Sequence, residues 1–217
     1  MRWLAQNWPS VLDLIATHIA LTIPAVVVSL LLAVPIGWVA SRRRSVRAGV
    51  LGTVGALYAV PSLPLFVLVP VLIGTSLRSP VNVVVVLTLY GLALLVSTAT
   101  DAFSTTPTAA RDAATALGYS TWGRFWAIEL PLAVPVLIAG LRVVVVSTVS
   151  LATVGALIGV GSLGSLLTDG FQRGIVGEIV TGVVATVALA LVLDGCCVLA
   201  RNLLAPWSRK GGAAWTS

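Results

Sequence analysis

Charge is scarce in this chain. Only 9% of its 217 residues are Asp, Glu, Lys or Arg, against roughly a quarter in an ordinary soluble domain, and that scarcity excludes the soluble globular class. Histidine occurs once and cysteine twice. Cys196 and Cys197 are adjacent inside an apolar run, so they supply neither a disulfide framework nor a zinc site and say nothing about redox compartment. The lone His18 and the scattered Asp13, Asp169, Glu178 and Asp194 give no converging set of acids and bases for a membrane enzyme. No Gly-rich loop ends in Gly-Lys-Ser or Gly-Lys-Thr, so ATP is not bound through a P-loop and any energy must come from a partner. Gly159, Gly161 and Gly164 formally match the dinucleotide fingerprint, but they follow an apolar run instead of a strand and open no βαβ unit. The amino terminus lacks the order of a removable signal peptide, so the first membrane helix is expected to direct insertion itself.

What remains is apolar. Hydrophobic residues make up 58% of the chain and the mean hydropathy is +1.06, the composition of an all-α polytopic membrane protein. A net charge of +6 could suggest nucleic acid, but the basic residues sit beside apolar runs and lack the clustered face a duplex needs. Runs long enough to cross about 30 Å of hydrocarbon occur near residues 21–40, 50–74, 81–100, 138–160 and 179–199, so about five transmembrane helices are expected. Residues 11–18, preceded by Trp3 and Trp8, read as a segment along the headgroups, with His18 in a capping or headgroup contact. The second run contains Pro61, Pro64 and Pro70, each removing a backbone donor. Broken backbone in lipid needs protein or water around it, so Pro61, Ser62 and Pro64 read either as pathway-lining or hinge residues or as a simple kink. Arg142 is expected to snorkel to the headgroups, leaving Ser147, Thr148, Ser150 and Thr153 as a polar side that could line a solute path or pack helices. The glycines at 159–164 are expected to shape a tight outer re-entry continuing through Asp169, Gly170, Arg173 and Glu178. Asp194, seven residues before Arg201, is expected to pair with it or with a neighbouring helix. Residues 206–217 are expected to form a short disordered tail.

The polar stretch within 101–135 organises the rest. Thr106 is a candidate N-cap with Pro107 at the first helical position, and Gly118 supplies a left-handed stop, so a short helix is expected over 107–117. Ala110, Ala113, Ala114 and Leu117 give it a small-residue stripe flanked by Arg111 and Asp112, suited to a cleft on another protein. The competing reading is a solvated loop between membrane helices. Ser120 can cap a second short helix carrying Trp122, Phe125 and Trp126, closed where Pro131 pushes Leu130 out of helical geometry.

The residues Asp112-Ala113-Ala114, then Gly118, then Ile128, then Leu130-Pro131 reproduce a spacing known from one family. The chain resembles the permease subunits of bacterial ATP-binding-cassette importers, whose cytoplasmic signature reads Glu-Ala-Ala, three residues, Gly, nine residues, Ile, one residue, Leu-Pro. Asp112 replaces the usual Glu, keeping the charge with one methylene less reach. A closer resemblance, to osmoprotectant importers for glycine betaine, choline, carnitine or proline, rests on residues 130–135, Ala139-Gly140-Leu141-Arg142 and 152–164, with Tyr58 to Leu63, His18 and Asp194 also fitting.

The resemblance implies a type I importer permease (MetI-like) fold, and ATPase coupling through Arg111, Asp112, Ala113, Ala114, Gly118, Ile128, Leu130 and Pro131. It also implies two ABC ATPase subunits holding ATP and magnesium, a second permease alike or paralogous, and an extracytoplasmic solute-binding protein. Only 18 residues follow the last run, 12 of them in the tail 206–217, so that binding protein is expected to be a separate chain. No cofactor or metal is expected on this chain itself. In the family's binding proteins an aromatic cage suits a quaternary ammonium; the tryptophans here form no such cage. With five spans, Arg42, Arg43, Arg44, Arg47, Arg111, Arg124, Arg142, Arg201, Arg209 and Lys210 share one side, leaving Arg2, Arg78 and Arg173 on the other. The positive-inside rule then places the amino terminus outside the cytoplasmic membrane and the carboxyl terminus inside. Competing readings are a permease for another small solute, an ATP-independent channel and a membrane enzyme.

Overall fold

The structure, a computed structural model, describes residues 2–209, and no strand occurs among them. The elements run α1 (Arg2–Ala40), α2 (Arg44–Ala59), α3 (Ser62–Ile73), α4 (Pro80–Ser104), α5 (Thr108–Ala116) and α6 (Thr121–Arg124). A π-helical turn (Phe125–Glu129) leads into α7 (Leu130–Ala152), followed by a 3-10 turn (Thr153–Ile158), α8 (Gly164–Arg173), α9 (Val176–Leu204) and a last 3-10 turn (Pro206–Arg209). The expected disordered tail therefore begins as a turn, and Lys210 and the rest of it lie outside the described residues.

Among the described residues four helical stretches are long and apolar enough to cross a membrane, Trp3–Ala40, Pro80–Ser104, Thr121–Ile158 and Val176–Leu204. Counting the α2–α3 pair as one bent span makes five. Several boundaries differ from the sequence reading. The segment expected along the headgroups is the first half of α1, where Val11 is 1% exposed and packs with Val149, Leu163, Leu166 and Leu189. At 39 residues, α1 is about 58 Å long at 1.5 Å per residue and overshoots the hydrocarbon. The run at 50–74 is not one straight helix: α2 and α3 meet at 105°. Val60 precedes a proline and takes extended geometry (φ −66°, ψ 128°), because the ring of Pro61 clashes with a helical predecessor. The expected re-entry after the fourth run contains a ten-residue helix, α8.

Helix α4 is the centre of the bundle, packed against α1, α2, α3 and α7, while α9 lies against α7, α8 and α1. Buried apolar clusters mark two poles. At one, Val34 and Trp38 of α1 meet Ala99 and Phe103 of α4, Phe125, and Leu130, Ala133 and Leu137 of α7. Toward the other, Leu65, Phe66 and Val69 of α3 pack on Val83, Val86 and Leu87 of α4 with Leu21 and Ala25 of α1. Small residues set the spacing: a Cβ on Gly37 would stand 2.5 Å from the Ala99 Cβ and 2.8 Å from its carbonyl carbon, and one on Gly140 would stand 2.5 Å from the Thr98 Cγ2. The Ser29 hydroxyl adds a polar tie, donating to Ala25 O at 2.8 Å in its own helix and to Thr88 O at 3.0 Å in α4. Helices that lack a hydrophobic driving force between them associate through such close approach and shared hydrogen bonds.

Gly37→Ala is therefore expected to lower stability by about 1–3 kcal/mol through overpacking against backbone. Gly52→Ala, where a Cβ meets nothing within 4 Å, should be neutral or gain up to about 1 kcal/mol from helix propensity. Melting midpoints of the two purified variants in one detergent check this; equal midpoints contradict the close α1–α4 contact.

Candidate functional site

The elbow between α4 and α7 is two short helices with a sharp stop between them. Gly118 takes φ +83°, a left-handed geometry that disfavours side chains bearing a Cβ. Its amide donates to Thr115 O at 3.0 Å and the next amide, of Tyr119, to Ala114 O at 3.0 Å, the paired closure that satisfies a helix's last carbonyls. Ser120 caps the next helix as expected, accepting from the Gly123 amide at 3.1 Å. The first cap differs. Pro107 occupies the N-cap of α5 and offers no side-chain acceptor. Thr106 is buried with its hydroxyl unpartnered, and its carbonyl accepts from the Arg111 guanidinium at 2.6 Å. Arg111 thus folds back on the turn and is not a free charge at the edge of α5. The small-residue stripe is split: Ala114 is buried and Ala110 half-buried, while Ala113, Leu117 and the adjacent Asp112 face outward, Leu117 at 78% exposure.

The elbow is braced on its other face by Glu129, which occupies the unspecified position between Ile128 and Leu130. Its carboxylate is 2% exposed and accepts from Trp38 Nε1 at 2.7 Å, from Arg42 at 2.8 and 2.7 Å, and from Arg124 Nε at 3.0 Å. Trp38 and Arg42 are one turn apart at the end of α1, and the Arg42 guanidinium also lies 4.7 Å from the centre of the Trp38 ring. Trp38 stacks on Trp122 at 5.6 Å and meets Phe125 edge-on at 5.1 Å. A carboxylate is costly to bury unless its lone pairs are filled, and here two cations and an indole fill them. Arg124 donates further to the Thr115 hydroxyl at 2.9 Å, so the clasp reaches α5. Sequence reasoning passed over this residue. The available signal was an acid alone in the otherwise uncharged stretch 125–141, which demands partners.

Pro131 does not end the helix, as the sequence suggested. Leu130 stays helical (φ −64°, ψ −49°) and its amide donates to Phe125 O, five residues back. Pro131 has no amide to give, and the ladder takes up one residue of slack in the π turn ahead of it. One inserted residue turns the side chains before it by about 100° relative to those after it. The elbow and α7 are therefore one continuous, offset rod, with Ile128, Leu130 and Pro131 half-buried at the joint.

A cavity of about 710 Å³ opens at the α2–α3 break. Pro61, Ser62, Ser147, Thr148, Ser150 and Thr153 all line it, with Tyr58, Val60, Tyr90 and Gly91. Pro64 does not line it but shapes it. The Val60 carbonyl would accept from residue 64 in a continuous helix, Pro64 cannot donate, and the Tyr90 hydroxyl donates there instead. Tyr90 and Gly91 are among the lining residues that sequence reading missed.

Two polar groups within the bundle behave otherwise than expected. His18 makes no headgroup contact: it is wholly buried, and its Nε2 lies 3.0 Å from Val149 O. That carbonyl lies where α7 tightens into the 3-10 turn, and it requires Nε2 to carry the proton. Arg142 does not snorkel. It makes a bidentate pair with Asp194 of α9, at 2.6 and 2.7 Å, and Arg201, two turns from Asp194, is not its partner. Cys196 and Cys197 are free thiols.

Glu129→Gln keeps the side chain's shape but removes the charge that both arginines face. It is expected to lower stability by about 1–3 kcal/mol, read as a fall of a few degrees in melting midpoint, with Glu129→Leu falling further; an unchanged midpoint in both contradicts the clasp.

Comparison with known proteins agrees with this architecture. Residues 29–210 match the family model described as the binding-protein-dependent transport system inner membrane component. The osmoprotectant import permease protein OsmW of Salmonella typhimurium is 29% identical over 197 residues, covering 89% of this chain and 91% of that protein. The glycine betaine/carnitine/choline transport system permease protein OpuCB of Bacillus subtilis is 24% identical, covering 97% of this chain and 96% of that one. Among solved structures, an inward-facing MetNI methionine ABC transporter superposes with a TM-score of 0.76 at 20% identity, over 89% of this chain and 95% of that one; at that identity the likeness is one of fold. A continuous match over most of the chain, on an all-helical bundle with a braced elbow, means that this chain belongs to the binding-protein-dependent transport system inner membrane component family: it is a multi-pass ABC importer permease, a transport subunit and not itself an enzyme.

Proposed function

We propose that the chain is one of two permease subunits, alike or paralogous, of an importer for a compatible solute of the glycine betaine, choline, carnitine or proline class. Two partner ATPases hold ATP and magnesium, and an extracytoplasmic binding protein delivers the solute. The elbow pole faces the cytoplasm, with the amino terminus outside and the carboxyl terminus inside, as the charge bias supports. The solute class is supported by the names of the relatives that align along nearly their whole length.

The observation that carries the coupling is the two-sidedness of the elbow. One face is fixed to α1 and α7 through Glu129 and the Trp38, Trp122 and Phe125 rings. The other leaves Asp112, Ala113 and Leu117 exposed, a shallow knob open to a partner. A knob held by a rigid clasp moves the helices behind it when a partner moves the knob. Closing of a docked ATPase pair then rotates the spans as rigid bodies and switches the cavity between the two sides of the membrane. Pro61, Ser62, Ser147, Thr148, Ser150 and Thr153 take the role of pathway wall, and Pro64 that of hinge.

With Cys196 and Cys197 replaced by serine, single cysteines at the exposed Ala109 or Ala116 are expected to crosslink to the ATPase and to react with impermeant thiol reagents only from the cytoplasmic side. Gly118→Val, which strains the left-handed stop by roughly 1–2 kcal/mol, should cut ATP-driven uptake in proteoliposomes about tenfold at equal membrane abundance, whereas Gly118→Asn should keep most of it. Labelling from the exterior, or full uptake by Gly118→Val, sinks the coupling scheme.

A further inference from the structure

We infer that Tyr58 and Tyr90 form a transit site for a trimethylammonium group inside the cavity at the α2–α3 break. The inference rests on the compatible-solute reading above and adds a named place and chemistry to it. The two rings meet edge to face, with centroids 6.0 Å apart and planes at 72°, so together they present an open aromatic corner. Tyr58 is 53% exposed there, and both rings line the cavity. None of the cavity's lining residues is Arg, Lys, His, Asp or Glu.

A quaternary ammonium has no N–H to donate. Hydroxyls and carboxylates therefore cannot hold it through hydrogen bonds, and the groups that suit it are π faces and diffuse negative potential. Both are present. The Tyr90 ring is pinned by its hydroxyl, which donates to the Val60 carbonyl that Pro64 leaves without a helical partner. Helix α2 ends at Ala59, and Tyr58, Ala59 and Val60 bring its carboxyl-terminal end to the cavity wall. The partial negative charge at a helix carboxyl terminus favours a cation without the strong hold of a carboxylate. That weakness is apt for a site the solute must leave, since binding deep enough to trap the cation would stop conduction. Ser62, Ser147 and Ser150, which also line the cavity, supply hydroxyls for the polar end of a zwitterion. A bare kink in a membrane helix needs the Tyr90 hydroxyl to satisfy Val60, but it needs no second ring at Tyr58.

The test replaces Tyr58 with phenylalanine and with a series of progressively fluorinated phenylalanines, which keep the ring's shape while draining the negative potential of its face. Glycine betaine uptake is measured in proteoliposomes holding the full complex with its ATPase and saturating binding protein. Tyr58→Phe is expected to keep most of the wild-type rate. The logarithm of the rate should fall stepwise with each fluorine, to about tenfold below phenylalanine at the most fluorinated ring. Tyr58→Leu should lose at least as much at equal membrane abundance. Rates independent of fluorination overturn the aromatic site while leaving the importer reading intact. Failure of the wild-type complex to move any quaternary ammonium, with ATP-driven uptake of some other solute, overturns both.

Discussion

A carboxylate buried to 2% exposure and shared between two arginines and an indole is the contact on which the rest of this molecule turns. Glu129 stands where three pieces of chain meet, the end of α1, the elbow and the start of α7. Without it the two cations would face one another across an apolar joint. With it, electrostatics, hydrogen bonding and the Trp38, Trp122 and Phe125 stack all favour one arrangement. The same low dielectric that makes an unpaired charge there costly makes the satisfied network stiff. Stiffness is what an elbow that transmits force requires, and it is spent on one face only. The opposite face keeps its small side chains and Asp112 bare.

Proline does complementary work in the two halves of the molecule. At Pro131 the chain keeps its helix by absorbing the missing donor in a π turn, and the rod stays continuous from elbow to bundle. At Pro61 and Pro64 it breaks, because two donors are lost within one turn and Val60 is pushed out of helical geometry. The difference lies in what precedes each proline: a π turn ahead of Pro131 has already offset the hydrogen-bond ladder by one residue and Leu130 stays helical, whereas Val60 ahead of Pro61 is extended and α2 ends there. The first case transmits; the second opens a cavity in apolar surroundings, and Tyr90 satisfies the carbonyl that the break exposes.

These outcomes mark what the amino-acid order reveals and what it conceals. The left-handed requirement at Gly118 and the Ser120 cap are local and legible, whereas apolar run length misses the bend between α2 and α3, the full extent of α1 and helix α8. The signature spacing from Asp112 to Pro131 marks the elbow through the family resemblance; the residue pattern alone leaves a solvated loop equally open. What stayed hidden is tertiary. Arg142 reads as a snorkelling residue because its partner Asp194 is 52 positions away, and of the two pairings open to Asp194, with Arg201 or with a neighbouring helix, the second is the one formed. His18 reads as a capping or headgroup contact, and its actual partner, the Val149 carbonyl in the last turn of α7, is 131 positions away. Glu129 hides inside the very motif that was recognised, its distant partners being Trp38 of α1 and Arg42 just beyond that helix, 91 and 87 positions away. In each case a lone polar group in an apolar run announces that a partner exists without naming it.

Helix α7 joins the two parts of the device. Glu129 adjoins its start, while Ser147 and Thr148 lie near its other end and Thr153 just beyond it, facing the cavity. Between residues 129 and 147 the rod runs about 27 Å at 1.5 Å per residue. A tilt of about 10° at the clasped end displaces the serine-bearing end by about 5 Å, close to the width of a trimethylammonium group. The α2–α3 wall need not follow, because its break uncouples α3 from the straight path of α2. In the proposed coupling scheme, one wall swung against a hinged one changes the cavity's opening by a solute's width with no helix unwinding, which gives the clasp and the break complementary parts.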